Sequence, residues 1–101
     1  MPKYETALDG VFHALANGTR RTLLQRLTRR PMSFSVLAQS SELALPSLLQ
    51  HLRVLETAGL VRSRKRGRTR TYRLAPRALA GAEHWLARQR RDRRNVKRRQ
   101  S

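Results

Sequence analysis

A chain of 101 residues suffices for one compact domain and is too short for two. Its 23 Lys and Arg against 6 Asp and Glu give a net charge of +17, a self-repelling balance that calls for a polyanionic partner. No stretch approaches the roughly 18 apolar residues of a membrane span, so that partner is expected to be nucleic acid rather than a bilayer, and the absence of cysteine excludes disulfides, thiolate metal sites and thiol redox switching.

Hydrophobic residues make up 39% of the chain and only two Phe, two Tyr and one Trp are present, which leaves a thin core that a second copy would naturally complete. The opening Met1-Pro2-Lys3-Tyr4-Glu5 carries no apolar signal-peptide core, so a cytoplasmic, nucleoid-associated location is expected.

Over residues 4–16, Leu8, Val11, Phe12 and Leu15 recur at helical offsets and predict an amphipathic first helix. Asn17-Gly18 interrupts it, and Asn17 is suited to cap a second helix over residues 19–29 with Leu23, Leu24 and Leu27 turned inward. Ser33 can cap a short third helix through Phe34, Val36, Leu37 and Ala38, and the polar run at residues 39–42 reads as a turn. A fourth helix begins near Leu45: Pro46 fits its first turn, Leu45, Leu48, Leu52 and Leu55 form one stripe, and Gly59 supplies its C-terminal cap.

Beyond Gly59 the period changes. Leu60-Val61 opens a strand, Gly67 offers a tight turn, and residues 69–74 return as a strand with Tyr72 and Leu74 on one face, giving a two-stranded hairpin. From Pro76 a fifth helix carries Leu79, Ala82, Trp85 and Leu86, and beyond Ala87 the apolar pattern dissolves. Residues 1–87 are thus expected to form the domain. Residues 88–101, with eight Lys or Arg and the single acid Asp92, either extend the last helix, wrap DNA or form a flexible tail.

The predicted fold is mainly α with a small β-hairpin: about five helices plus a two-stranded wing, the order of a winged helix-turn-helix. In that architecture the second helix of the motif enters the major groove and the hairpin rests on the DNA backbone. At 100° per residue, the leucine stripe of the fourth helix leaves Pro46, Gln50, Arg53 and Thr57 outward, flanked by Ser47 and Leu49. Gln50 suits adenine, Arg53 guanine or a phosphate, and Leu49 a thymine methyl group, although Gln and Arg also populate any solvated helix face. His51, at the edge of the stripe, either bonds a phosphate or closes the packing between helix and hairpin.

Residues 62–73 hold seven cations and no acid: Arg62, Arg64, Lys65, Arg66, Arg68, Arg70 and Arg73. Charged edge strands discourage aggregation, but this density exceeds that need and points to phosphate contact, with Arg64, Arg66, Gly67, Arg68 and Arg70 as the candidate clamp. Leu8, Val11 and Phe12 of the first helix, with Leu79, Ala82, Trp85 and Leu86 of the last, are candidate dimerisation residues, intramolecular packing being the other use of the same faces. His13, His51 and His84 lack metal-ligand spacing, and no nucleophile, base and orienting group converge. No metal, no cofactor and no enzymatic activity are expected.

Residues 8–21 (LDGVFHALANGTRR), 45–56 (LPSLLQHLRVLE), Ala-Gly-Leu-Val at 58–61, Arg66-Gly67-Arg68 and Tyr72-Arg73-Leu74 together resemble the ArsR-type (ArsR/SmtB) winged-helix repressors. The resemblance implies a homodimer built from the first and last helices, operator binding near promoters, and repression that often includes the regulator's own operon. By position it places Ser47, Leu49, Gln50, His51 and Arg53 on the DNA-reading helix and Arg66, Gly67 and Arg68 at the wing tip. Metal-sensing members carry cysteines on the helix occupied here by residues 33–38, where this chain has Ser33 and Ser35 around Phe34, so a member without the thiolate sensor is implied. Leu49 stands where a polar residue is common and Asn17-Gly18 where many relatives have Asp-Pro. A homodimeric repressor on a palindromic operator in double-stranded DNA, with a small-molecule or protein effector left open, is the leading expectation; a general architectural or RNA-binding protein is its competitor.

Overall fold

A computed structural model of the chain describes the backbone of residues 3–100 and the side chains of residues 7–97. Met1, Pro2 and Ser101, and the side chains of Arg98 and Arg99 in the basic tail, lie outside the described part. The order of elements is α1 (Lys3–Leu15), α2 (Gly18–Arg29), β1 (Met32–Ser33), α3 (Phe34–Gln39), α4 (Leu45–Thr57), β2 (Val61–Arg66), β3 (Thr69–Leu74) and α5 (Ala80–Gln100).

The expected caps operate. Asn17 is extended and its side-chain oxygen accepts the Arg20 amide at 3.0 Å, starting α2. The Ser33 hydroxyl does the same for the Val36 amide at 3.2 Å, starting α3. Helix α4 ends in a Schellman motif: Gly59 takes φ 78°, its amide reaches the Glu56 carbonyl at 2.9 Å, and the Leu60 amide reaches back to Leu55 at 3.0 Å. Leu55 and Leu60 are both fully buried, the apolar contact that accompanies this turn and aims the chain into β2.

A third strand joins the hairpin. Met32–Ser33 pairs antiparallel with β3, giving the order β1-β3-β2, with Met32 opposite Tyr72 and Ser33 opposite Thr71. Two residues carry no readable alternation, which is why the segment showed in the sequence only through Ser33 as the cap of α3. The core gathers Ala14 from α1, Leu23, Leu24 and Leu27 from α2, Leu37 from α3, Leu48, Leu52 and Leu55 from α4, and Leu60, Val61 and Tyr72 from the sheet.

Three expectations are corrected. Leu45 is not part of the buried stripe: it is 56% exposed, because it sits at the N-terminal rim of α4, a turn ahead of fully buried Leu48. Helix α5 starts at Ala80 rather than near Pro76, since Arg77 takes a positive φ of 57° and residues 76–79 form successive turns, with Ala78 bonded to Ala75 and Ala80 to Arg77. Leu79 therefore packs against the core from that turn, not from the helix. Past Ala87 the backbone stays helical to Gln100 even though the apolar pattern stops.

Candidate nucleic-acid interface

Helix α4 is the second helix of the helix-turn-helix pair, and its interior face is what aims its exterior. Leu48, Leu52 and Leu55 are fully buried, so Pro46, Ser47, Gln50, Arg53 and Thr57 are exposed by geometry, with half-buried Leu49 at the flank. The sequence-predicted reading residues are therefore brought together on one helix face. Its N-terminus is bare: Ala44 offers no side-chain acceptor and Pro46 has no amide proton, so the partial positive charge of the helix end is left uncapped.

The hairpin ends in a two-residue connection, Gly67-Arg68, between the paired Arg66 and Thr69. Gly67 has φ 60° while Arg68 does not share a positive φ, the sign pattern of a type II′ turn, which needs glycine at its first position. Register then divides the cations. Val61, Ser63 and Lys65 of β2 lie on the same side as Leu74, Tyr72 and Arg70 of β3, and this is the side that packs on the helices, since Val61 and Tyr72 are buried. Arg62, Arg64, Arg66 and Arg73 project from the other side. The seven cations thus do not form a single facing row. Arg70 is steered by a 2.8 Å bond from its guanidinium to the Ser63 hydroxyl. It joins Leu49, Ser33, Phe34, Ser35, Arg68, Thr69 and Tyr72 around a groove of about 270 Å³ between α4, the start of α3 and the wing. Two directly opposed like-charged pairs, Arg62 with Arg73 and Lys65 with Arg70, cost stability in the free protein that an apposed polyanion relieves.

Tyr72 roots the wing in the core. Burial pushes its phenol above the ordinary value, Glu56 adds to that rise, and Arg70 and Arg53 oppose it.

Sequence reasoning overlooked the arginines at the start of α2. Arg20 donates from Nε to the Ala14 carbonyl at 2.7 Å and from one terminal nitrogen to the His13 carbonyl at 3.1 Å, and Arg21 donates to the Leu15 carbonyl at 2.7 Å. These guanidinium groups close the C-terminal end of α1, where orphan carbonyls and the helix dipole favour a cation. The other terminal nitrogen of Arg20 lies 3.3 Å from Nδ1 of half-buried His51. The only local signal was the Thr-Arg-Arg triplet after the cap, and its partners lie 6 and 31 residues away.

On the terminal helices, the rings of Phe12 and Trp85 meet edge to face, with centroids 5.8 Å apart and planes at 73°. Leu8, Val11, Phe12, Leu79 and Trp85 are half-buried, Ala82 is buried, and Leu86 is 53% exposed. Among the described residues no group of three His, Asp or Glu is placed to hold a metal ion, and no helix is long and apolar enough to cross a membrane.

A helix-turn-helix pair whose second helix shows a polar face beside a basic two-stranded wing defines the DNA-binding winged helices. Comparison with known proteins agrees. A model described as a helix-turn-helix domain matches residues 15–64. The HTH-type transcriptional regulator Rv2034 of Mycobacterium tuberculosis is 43% identical over 72 residues, 71% of this chain and 67% of that protein. The transcriptional repressor SdpR of Bacillus subtilis is 27% identical over 79 residues, 78% of this chain and 88% of that protein. The crystal structure of an ArsR family transcriptional regulator superposes with a TM-score of 0.83 at 42% identity, covering 90% of this chain and 94% of that one. The chain belongs to the ArsR family of winged helix-turn-helix transcriptional regulators, and it is a transcriptional regulator with a DNA-binding helix-turn-helix.

Proposed function

We propose that this regulator is a homodimeric repressor that reads a palindromic operator with α4 and grips the flanking backbone with its wing. The observation that carries the reading is the row Ser47, Gln50 and Arg53, held outward by buried Leu48, Leu52 and Leu55 beside the arginines of the hairpin. In this reading Gln50 and Arg53 reach base edges and Leu49 the methyl group of a thymine. Arg68 and Arg70, near the groove beside α4, supply phosphate contacts, and Arg64 and Arg66 supply more from the far side of the wing tip. His51 serves as a further contact at the edge of the same face.

Dimerisation through α1 and α5 is supported by an aromatic pair that one subunit leaves half-covered and by the exposed Leu86 next to it. Two copies related by a two-fold axis would present α4 to half-sites about 10 base pairs apart. The repressor role is supported by the likeness to SdpR, and the site of action is the cytoplasm at the nucleoid. A small-molecule or protein effector would act by changing how the two α4 helices are spaced.

Gel shifts on the DNA upstream of the protein's own gene, at physiological salt with competitor DNA, test the reading. One defined retarded complex that survives competitor supports it; equal affinity for every duplex overturns it in favour of a general nucleic-acid binder.

A further inference from the structure

The bonds at Arg20 converge from three elements. Its own amide is fixed by the Asn17 cap on α2, its Nε and one terminal nitrogen are committed to the Ala14 and His13 carbonyls of α1, and the remaining terminal nitrogen faces Nδ1 of His51 on α4. A guanidinium has donors only, so the nitrogen it faces must accept. Nδ1 of His51 is then unprotonated and the ring proton sits on Nε2. His51 lies between Gln50 on the outward row and Leu52 in the core, and the residue is half-buried.

We infer that Arg20 is a positioning residue for DNA recognition: it holds His51 in the Nε2–H form, so that Nε2 donates to a phosphate oxygen beside the reading helix, and it ties the orientation of α4 to the end of α1. The inference rests on the proposed DNA-reading role of α4 and names a control within it. Arg20 touches no DNA; it acts through the imidazole. The link also gives α1, a candidate dimer helix, a polar connection to the reading helix, so that movement of α1 is felt at His51.

The ring form is read on the wild-type protein without DNA, by long-range proton–nitrogen NMR of the histidine side chains. The expected spectrum for His51 has the proton on Nε2 and an unprotonated, hydrogen-bonded Nδ1. A Nδ1–H ring overturns the inference even where operator binding is intact, which separates its failure from failure of the proposed function. The second measurement is a double-mutant cycle on operator affinity with Arg20→Met, which keeps the aliphatic stem, and His51→Ala. Each single change is expected to weaken binding about tenfold, and the pair no more than the worse single, because both remove the same phosphate bond. Full additivity overturns the coupling. Arg20→Lys keeps the charge without the fork that serves three acceptors, and its His51 spectrum is expected to show both ring forms; an unchanged spectrum means that Arg20 does not set the ring. His51→Gln, whose amide stands in for the Nε2 donor, is expected to retain binding and to become insensitive to Arg20→Met; continued sensitivity would mean that Arg20 acts through helix packing instead.

Discussion

At Gln50 and Arg53 the proposed function separates choice of sequence from strength of binding within one helix turn. Both side chains are exposed on α4 while their neighbours Leu48, Leu52 and Leu55 are sealed, so truncating them leaves folding alone. Gln50→Ala and Arg53→Ala are each expected to cost about 1–3 kcal/mol of operator discrimination, measured as the ratio of operator to random-duplex affinity, with an unchanged melting temperature. Tyr72 makes a different prediction. Its folded-state pKa is raised, chiefly by burial, so the stability it contributes is complete below the unfolded value near 10.0 and is lost as pH climbs through the folded value. Denaturant midpoints are expected to fall above pH 10 in the wild type, and to fall less in Tyr72→Phe, which has no proton to release.

Among the elements, the wing is the one whose role turns on register. Its tip depends on Gly67 at φ 60°, a conformation that costs a residue with Cβ about 1 kcal/mol or more. Because open space surrounds the position a Cβ would take, Gly67→Val acts on the backbone alone. It is expected to weaken operator binding and to lower the melting temperature by only a few degrees. The alternation that puts Lys65 and Arg70 on the helix side and Arg62, Arg64, Arg66 and Arg73 on the other also predicts unequal effects. Arg70→Gln, at the groove beside α4, is expected to reduce affinity more than Arg62→Gln at the wing root, and isothermal titration against one operator duplex compares them. In the reading helix, Leu52→Ala opens a cavity at a fully buried site and is expected to cost about 2–5 kcal/mol, read from urea midpoints.

The whole molecule is elongated, 61 Å along its longest axis against 27 and 22 Å across. Helix α5 contributes to that length: its 21 residues span about 31 Å. Beyond the Phe12–Trp85 contact its described part carries Arg88, Arg90, Arg91, Arg93, Arg94 and Lys97, all six of them exposed. Six cations on one helix add to association with any polyanion and leave the reading face untouched. A chain ending at Ala87 is therefore expected to keep its operator preference and to show a shallower dependence of log affinity on log salt, by about 0.9 for each phosphate that the tail had neutralised. Were the chain a general nucleic-acid binder, the same truncation would abolish binding. For the proposed α1–α5 dimer, Trp85→Ala with Leu86→Glu is expected to shift the protein toward monomer by light scattering and to weaken cooperative operator binding, since a monomer presents one reading helix.

Local chemistry made much of this legible in the amino-acid sequence. Leucines at helical spacing placed α1, α2 and α4, the side-chain acceptors of Asn17 and Ser33 started two helices, and Gly59 and Gly67 marked the turns that require positive φ. Each of those signals is written within a few residues of where it acts. The outward row of α4 followed from the same periodicity, because burying one face exposes the other. What the tertiary structure decided lies at longer range. The strand at Met32–Ser33 exists because β3 offers it partners 38 to 40 residues later in the chain, and Leu45 is exposed because the first residue of α4 lies outside the packed core. The junction of Arg20 with His51 spans 31 residues, a distance over which neither spacing nor composition carries a signal. Charge told the chain what kind of partner to meet; only packing told each arginine which way to face.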